Sequence, residues 1–264
     1  MKVAVLGCGP TGMIAAHAAA TLGHDVAIIS RRLYSATFGA MYLHIPIPGI
    51  SPDKPEMEIK VVKLGTREGY AENVYNDRNA EVSWDKFNDG PTPGWDLALA
   101  YEKLWRKYES RIIDVNITGS KIAQVVYEYD IVFSTIPQNS ICEDWSHKFE
   151  SVEICVLHGP NKQAGEANVM YYNGLAPNGL GSWYRYSLIR GYQSWEYSAL
   201  HTPAYILHRY PRDGITFTRG IKPLSTNCMC HPEIWRLGRF GKWNKHTFTH
   251  HGYEEVSNAL LSMQ

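Results

Sequence analysis

The chain has 264 residues and 44% hydrophobic content, enough for one large domain or two small ones with a real core. Its 26 basic and 26 acidic residues cancel, which argues against a general nucleic-acid or membrane-surface binder and points to a small-molecule partner, with a homo-oligomer left open. No apolar run approaches the roughly 20 residues of a membrane span, and the N-terminal stretch lacks a signal-peptide cleavage pattern, so a cytoplasmic protein is expected.

The first elements in the chain carry the most information. Val3–Leu6 reads as a strand that runs straight into Gly7-Cys8-Gly9-Pro10-Thr11-Gly12, then an Ala-rich helix, then a second strand at Val26–Ile29. This is a βαβ dinucleotide fingerprint in its proper context. Gly7 allows the tight turn, Gly9 lets a pyrophosphate approach the backbone, and Gly12 lets the helix pack close to the sheet. Pro10 and Thr11 open the helix, whose N-terminus offers N–H groups and positive dipole to an anion. At the end of the second strand, where an acidic residue would suit NAD or FAD, stand Ser30, Arg31 and Arg32. Arginines there suit a 2′-phosphate, so this position taken alone leans to NADP.

Residues 33–50 read as an extended loop, and residues 51–94 as a polar, proline-broken stretch with a strand at Glu58–Leu64. Trp95–Tyr108 has helical spacing, with Leu97, Tyr101, Leu104, Trp105 and Tyr108 on one face. Ile112–Ile117 and Ala123–Tyr127 look like a short strand pair, and Tyr129–Ile136 like a buried strand ending at Pro137. Between 151 and 220, alternating segments separated by Gly, Asn and Pro turns predict an antiparallel sheet, including 204–210. A glycine-rich stretch, Leu237–Trp243, precedes a terminal helix at Gly252–Met263.

Five cysteines, Cys8, Cys142, Cys155, Cys228 and Cys230, make no disulfide framework. Cys228-Met229-Cys230-His231 is a poor zinc pattern without a second ligand pair, so no metal site is expected. No GxSxG, HExxH or GxxxxGKS motif is present, which argues against hydrolysis by those routes.

Four separated segments together resemble the glutathione-reductase-like flavoproteins, and most of all the amine oxidase and UDP-galactopyranose mutase branch in a shortened form. They are Gly7–Gly12; Ser35-x-x-x-Gly39-Ala40-Met41-Tyr42-Leu43-His44; Tyr129-Asp130-Ile131-Val132-Phe133-Ser134-Thr135-Ile136-Pro137; and Gly238-Arg239-Phe240-Gly241-x-Trp243. The resemblance implies an α/β fold: a Rossmann-like FAD/NAD(P)-binding domain with an inserted β-rich, mostly antiparallel substrate domain. The first would comprise 1–50, 95–140 and 225–264, the second 51–94 and 141–224. It makes FAD the leading cofactor, with NADP the alternative. It places Gly39, Ala40, Met41, Tyr42 and Leu43 against the flavin, Thr135 and Pro137 at the return to the nucleotide domain, and Gly238, Arg239, Gly241 and Trp243 near the phosphates and ribityl chain. Ser30 departs from the family's acidic residue, although its hydroxyl can still hydrogen-bond.

Three strand residues complete the candidate set. Tyr172, Trp183 and Arg185 are expected to face the substrate, with period-two alternation putting Trp183 and Arg185 on one face and Tyr184 and Tyr186 on the other. An aromatic face with one arginine suits a planar or anionic substrate. His44, at the end of the flavin-side loop, is the candidate catalytic group, positioning substrate or shuttling a proton near neutral pH. The resemblance also brings His250 and His251 near the flavin. The expected function is an amine-oxidase-like oxidoreductase; an NADPH-dependent reductase, a mutase-like non-redox flavoenzyme and a non-catalytic flavin-binding protein remain alternatives.

Overall fold

The computed structural model describes residues 1–31, 33–34, 41–82, 84, 90–161, 167–175, 183–202 and 214–263. In chain order the strands are β1 (Lys2–Leu6), β2 (Asp25–Ser30), β3 (Tyr42–Leu43), β4 (Met57–Gly65), β5 (Gly90–Asp96), β6 (Ile112–Asp114), β7 (Ile131–Ser134), β8 (Phe149–Pro160), β9 (Val169–Gly174), β10 (Trp183–Ile189), β11 (Tyr192–Ser198), β12 (Thr216–Thr226) and β13 (Trp235–Arg236). The helices are α1 (Pro10–Thr21), α2 (Arg67–Tyr75), α3 (Leu97–Tyr108), α4 (Gly119–Glu128), α5 (Gln138–Ile141), α6 (Gly238–Gly241) and α7 (His251–Leu261). None of the described helices is long and apolar enough to cross a membrane.

The first sheet is parallel, in the order β13-β7-β1-β2-β6. Its central strand β1 has no exposed residue from Val3 to Leu6, as expected of a strand covered on both faces. One face carries α1, α3 and α7, the other α4. Helix α1 is buried from Gly12 to Ala19, because small side chains let it sit between the sheet and the outer helices. Gly7 has φ +100°, and a Cβ on Gly12 would stand 2.0 Å from the Gly7 carbonyl oxygen. The turn and the close approach read from the sequence are therefore both present.

The second sheet is mixed and mostly antiparallel, in the order β12-β8-β11-β10-β9-β4-β5-β3, with β4 and β9 the parallel pair. The architecture is thus the Rossmann-like sheet with a β-rich partner expected from the sequence. The chain leaves the parallel sheet after β7, builds most of the second sheet, and returns at β13, which pairs with Phe133 and Ser134 of β7.

Three local expectations are corrected. Ala123–Tyr127 is not a strand but part of α4, whose buried Ile122 and Val125 lie three apart on one helical face. Of the supposed pair only Ile112–Asp114 is a strand, and it runs parallel to β2. Helix α2 falls inside the stretch read as broken. Its polar sequence hides it, yet the Thr66 side chain caps it by accepting from Gly69 N at 3.0 Å. Helix α3 starts two residues later than predicted, because Asp96 is its cap and Trp95 belongs to β5. The strand expected at 204–210 lies outside the described residues.

Candidate functional site

A cavity of about 530 Å³ opens where the two sheets meet. That volume is within the range of small-molecule and cofactor sites. From the first sheet it takes Gly9, Pro10 and Thr11 at the N-terminus of α1, Thr135 after β7, and Gly238, Arg239 and Phe240 of α6. Tyr42, Leu43 and His44 form another side. The second sheet contributes Tyr172, Tyr184, Arg185, Glu196 and Lys222.

The glycines divide their work. Gly7 and Gly12 stand behind the wall, packed against Thr135 and each other, whereas a Cβ on Gly9 would meet nothing within 4 Å. Gly9 therefore leaves open space beside a helix N-terminus, as anion binding requires. Thr135 is fixed by its hydroxyl donating to Leu6 O at 3.0 Å. Segment 238–241 is wedged into place, since a Cβ on Gly241 would come within 2.5 Å of Ser134 O. Trp243 stays in the core, its indole N–H donating to Glu150 O at 2.8 Å. Gly7, Gly12, Gly241 and Trp243 thus shape the wall without lining the cavity.

The remaining predicted residues are spread more widely. Ser30 closes β2, and Arg31 is exposed beyond it, with the Cys8 thiol donating to Arg31 O at 3.4 Å. Met41 O accepts from Leu97 N, and Pro137 is exposed ahead of α5; neither lines the cavity. Arg32, Gly39 and Ala40 lie outside the described residues.

The alternation expected along β10 fails at its start. Pairing with β11 shifts register between Trp183 and Arg185, so a bulge brings Tyr184 and Arg185 to one partner. The Tyr184 hydroxyl donates to Glu196 Oε2 at 2.8 Å, and Arg185 Nε donates to Glu196 Oε1 at 2.7 Å. Trp183 instead packs with Trp195 and Tyr186 and does not line the cavity, so its expected place beside Arg185 is corrected.

Cationic groups crowd the site. Burial pushes the Lys222 ammonium down to about 7, with Arg239 and Arg185 adding to the effect, and its Nζ lies 5.1 Å from the Tyr75 ring centroid. Burial and then Arg185 likewise lower the Arg239 pKa. Arg239 Nε is shielded from water and has no hydrogen-bond partner among the described residues. A guanidinium edge of this kind, in a cavity that Gly9 and the α1 N-terminus also line, calls for an acceptor oxygen from a ligand.

Sequence reasoning passed over Lys222 and Glu196. The available signal was a charged residue inside an otherwise aromatic strand, Trp195-Glu196-Tyr197, since a carboxylate so placed needs a buried cation.

His44 packs edge-on to Tyr42, Phe248 and His250. Burial, then His251, pushes the pKa of His44 from 6.5 to about 4, and His250 is lowered to about 4 by the same first causes. A neutral His44 at pH 7 can accept or donate a hydrogen bond, and proton shuttling by titration near neutrality is corrected. Because both folded-state values are depressed, the unfolded chain takes up these protons first. The stability these two groups contribute is fully present above pH 6.5 and is lost as pH falls through about 4. His44→Phe is expected to flatten the acid slope of the melting temperature in that window. An unchanged slope would show that His44 contributes nothing to it.

No family model matches this chain, and no curated protein matches it. Solved structures do. Reduced UDP-galactopyranose mutase aligns with TM-score 0.58 and 11% identity, covering 100% of this chain and 94% of that one. MibH, a lanthipeptide tryptophan 5-halogenase, aligns with TM-score 0.56 and 13% identity over 99% of this chain and 65% of its own. CtdE in complex with FAD gives 0.51 and 11%, over 99% and 84%. At these identities the likeness is one of fold.

Proposed function

We propose that the protein is an FAD-binding flavoenzyme, and that the cavity holds the cofactor and a small substrate together. One observation carries the reading: Gly9 at the α1 N-terminus, Thr135 and Arg239, far apart in sequence, line one open cavity, and the Arg239 Nε has no acceptor among the described residues. Fold neighbours that include an FAD complex support the choice of dinucleotide.

In this reading Gly9, Pro10, Thr11 and Arg239 hold the pyrophosphate, and Thr135, Tyr42 and Leu43 border the cofactor. Residues 1–50, 95–140 and 225–264 would serve chiefly the cofactor, and 51–94 and 141–224 the substrate. The flavin would supply a reversible acceptor for an electron pair. The chain's own residues bind and orient. Arg185, fixed by Glu196, and Lys222 present positive charge to an anionic substrate, and Tyr172 and Tyr184 give it flat, water-excluding walls. The finer reading is an amine-oxidase-like oxidoreductase acting on a small anionic substrate.

Arg31, exposed at the end of β2, favours a second reading as an NADPH-dependent reductase. The visible spectrum of the purified protein, with mass identification of released cofactor, separates the two. Yellow protein carrying about one FAD per chain is expected. Colourless protein that takes up no added FAD but binds NADPH would overturn the flavoprotein reading. With FAD in place, bleaching by amines under anaerobic conditions tests the amine-oxidase branch.

A further inference from the structure

Two of the cysteines set aside in the sequence are joined by a partner pair from 80-odd residues away. Cys142 and His147 follow α5 on the path from β7 to β8, and Cys228 and Cys230 lie on the path from β12 back to β13. Their ligand atoms all lie within 4.8 Å of one another. Cys142 Sγ is 3.8 Å from Cys230 Sγ and 3.3 Å from His147 Nδ1, and Cys230 Sγ is 3.6 Å from the same nitrogen. A tetrahedral zinc with ordinary Zn–S and Zn–N bonds places its sulfurs about 3.8 Å apart and sulfur and nitrogen about 3.5 Å apart. The three spacings among Cys142, Cys230 and His147 are close to the edges of such a tetrahedron, and the Cys228 thiol lies within 4.8 Å of all three.

The surroundings are built to hold this arrangement. Gln138 Nε2 donates to Cys228 O at 2.9 Å, and Arg236 donates to the carbonyls of both Cys228 and Cys230. His231 Nε2 lies 3.1 Å from Ile141 O, tying the two paths together again. With the backbone held from outside, the thiols are left to turn inward. The far nitrogen of His147 faces Asp144, with Nε2 at 3.6 Å from Oδ2, and Asp144 is itself fixed by the Ser146 N–H and hydroxyl at 2.8 and 2.7 Å. A carboxylate behind a ligating imidazole is the usual outer partner that sets its orientation and basicity.

We propose that Cys142, His147, Cys228 and Cys230 form a Cys₃His zinc site that clips together the two paths by which the chain leaves and re-enters the parallel sheet. With four protein ligands no coordination position is left for a substrate, so the metal is structural. None of the four residues lines the cavity, and the site stands whether or not FAD is the cofactor. The sequence pattern failed because the second ligand pair is distant in the chain, and only the fold brings it in.

The test is elemental analysis of the full chain, purified with its cofactor from zinc-supplemented medium without chelators. About one zinc per chain is expected, with the Cys155→Ser protein as a control that keeps it. Cys142→Ser and Cys230→Ser should each lower zinc content about tenfold or more. Asp144→Asn keeps all four ligands, and should weaken zinc retention against a competing chelator about tenfold. Should the cysteine variants fail to fold, cobalt exchanged into the wild-type protein must give tetrahedral d–d bands to the red of the flavin absorption. Zinc near background with freely titrating thiols, a Cys142–Cys230 disulfide in the purified protein, or iron in place of zinc would each overturn the proposal.

Discussion

Gly9→Leu is expected to strip the protein of its dinucleotide while leaving the fold intact, and Gly12→Ala to do the reverse damage first. The two positions belong to one motif but face different things. A side chain at Gly9 enters open space at the α1 N-terminus, with no protein atom within 4 Å of its Cβ. The leucine would fill the volume where the proposed pyrophosphate approaches the helix N–H groups, so cofactor affinity should fall about a hundredfold or more, about 2.7 kcal/mol. The melting temperature of the cofactor-free protein should barely move. A Cβ at Gly12, by contrast, would stand 2.0 Å from Gly7 O and 3.1 Å from Thr135 Oγ1. Helix α1 would have to lift off the sheet, at a cost of about 3 kcal/mol. Denaturant unfolding of both apo-variants, with cofactor titration of the folded one, checks the pair. Wild-type cofactor affinity in Gly9→Leu would remove the pyrophosphate from that place.

Glu196→Ala is expected to be the most damaging change in the second sheet. The carboxylate is 3% exposed and accepts from both Tyr184 and Arg185. Deleting it leaves the Arg185 guanidinium beside Lys222 and Arg239 with its carboxylate partner gone. Breaking a buried pair from one side costs about 3–5 kcal/mol. Because the Arg185 side chain keeps 26% of its exposure, water softens the loss, and about 2–3 kcal/mol is the better expectation. Glu196→Gln keeps an acceptor and should lose less. It has a second effect, since Glu196 raises the Lys222 pKa against burial and the neighbouring arginines. Without that charge the Lys222 ammonium deprotonates at lower pH, so any anion affinity that depends on it should decline from below pH 7 rather than near it. Urea unfolding reads the first effect and a pH profile of anionic-ligand binding the second. A Glu196→Ala protein as stable as wild type would mean that the pair contributes nothing net.

The parts legible in the sequence are those whose cause is local. A strand buried on both faces needs an unbroken apolar run, and Val3–Leu6 and Ile131–Phe133 have one. The turn between β1 and α1 needs glycine where φ is positive and where backbones touch, and Gly7 and Gly12 meet those needs within six residues. Helix α3 announces itself through Tyr101, Leu104 and Tyr108 on one face. The family resemblance singled out Gly238 and Arg239 from the sequence, and in the fold both line one cavity with Gly9.

The parts the sequence could not give are those decided by partners far along the chain. Short alternation near Ala123 is compatible with strand or helix, and burial of Ile122 and Val125 against β1 and β7 chose the helix. Helix α2 has little apolar content of its own, and it is held by Tyr70, Ala71 and Val74 packing on the second sheet and by Asn73 donating to Asn173 O and Leu175 O. Which way Tyr184 and Arg185 point depends on a bulge, and a one-residue shift reverses every side chain beyond it. Periodicity along the chain specifies which segments can form elements. Only the pairing of distant strands and returns specifies which side chains meet, and for this protein that pairing assembled Arg239 with Gly9, Glu196 with Arg185, and Cys142 with Cys230.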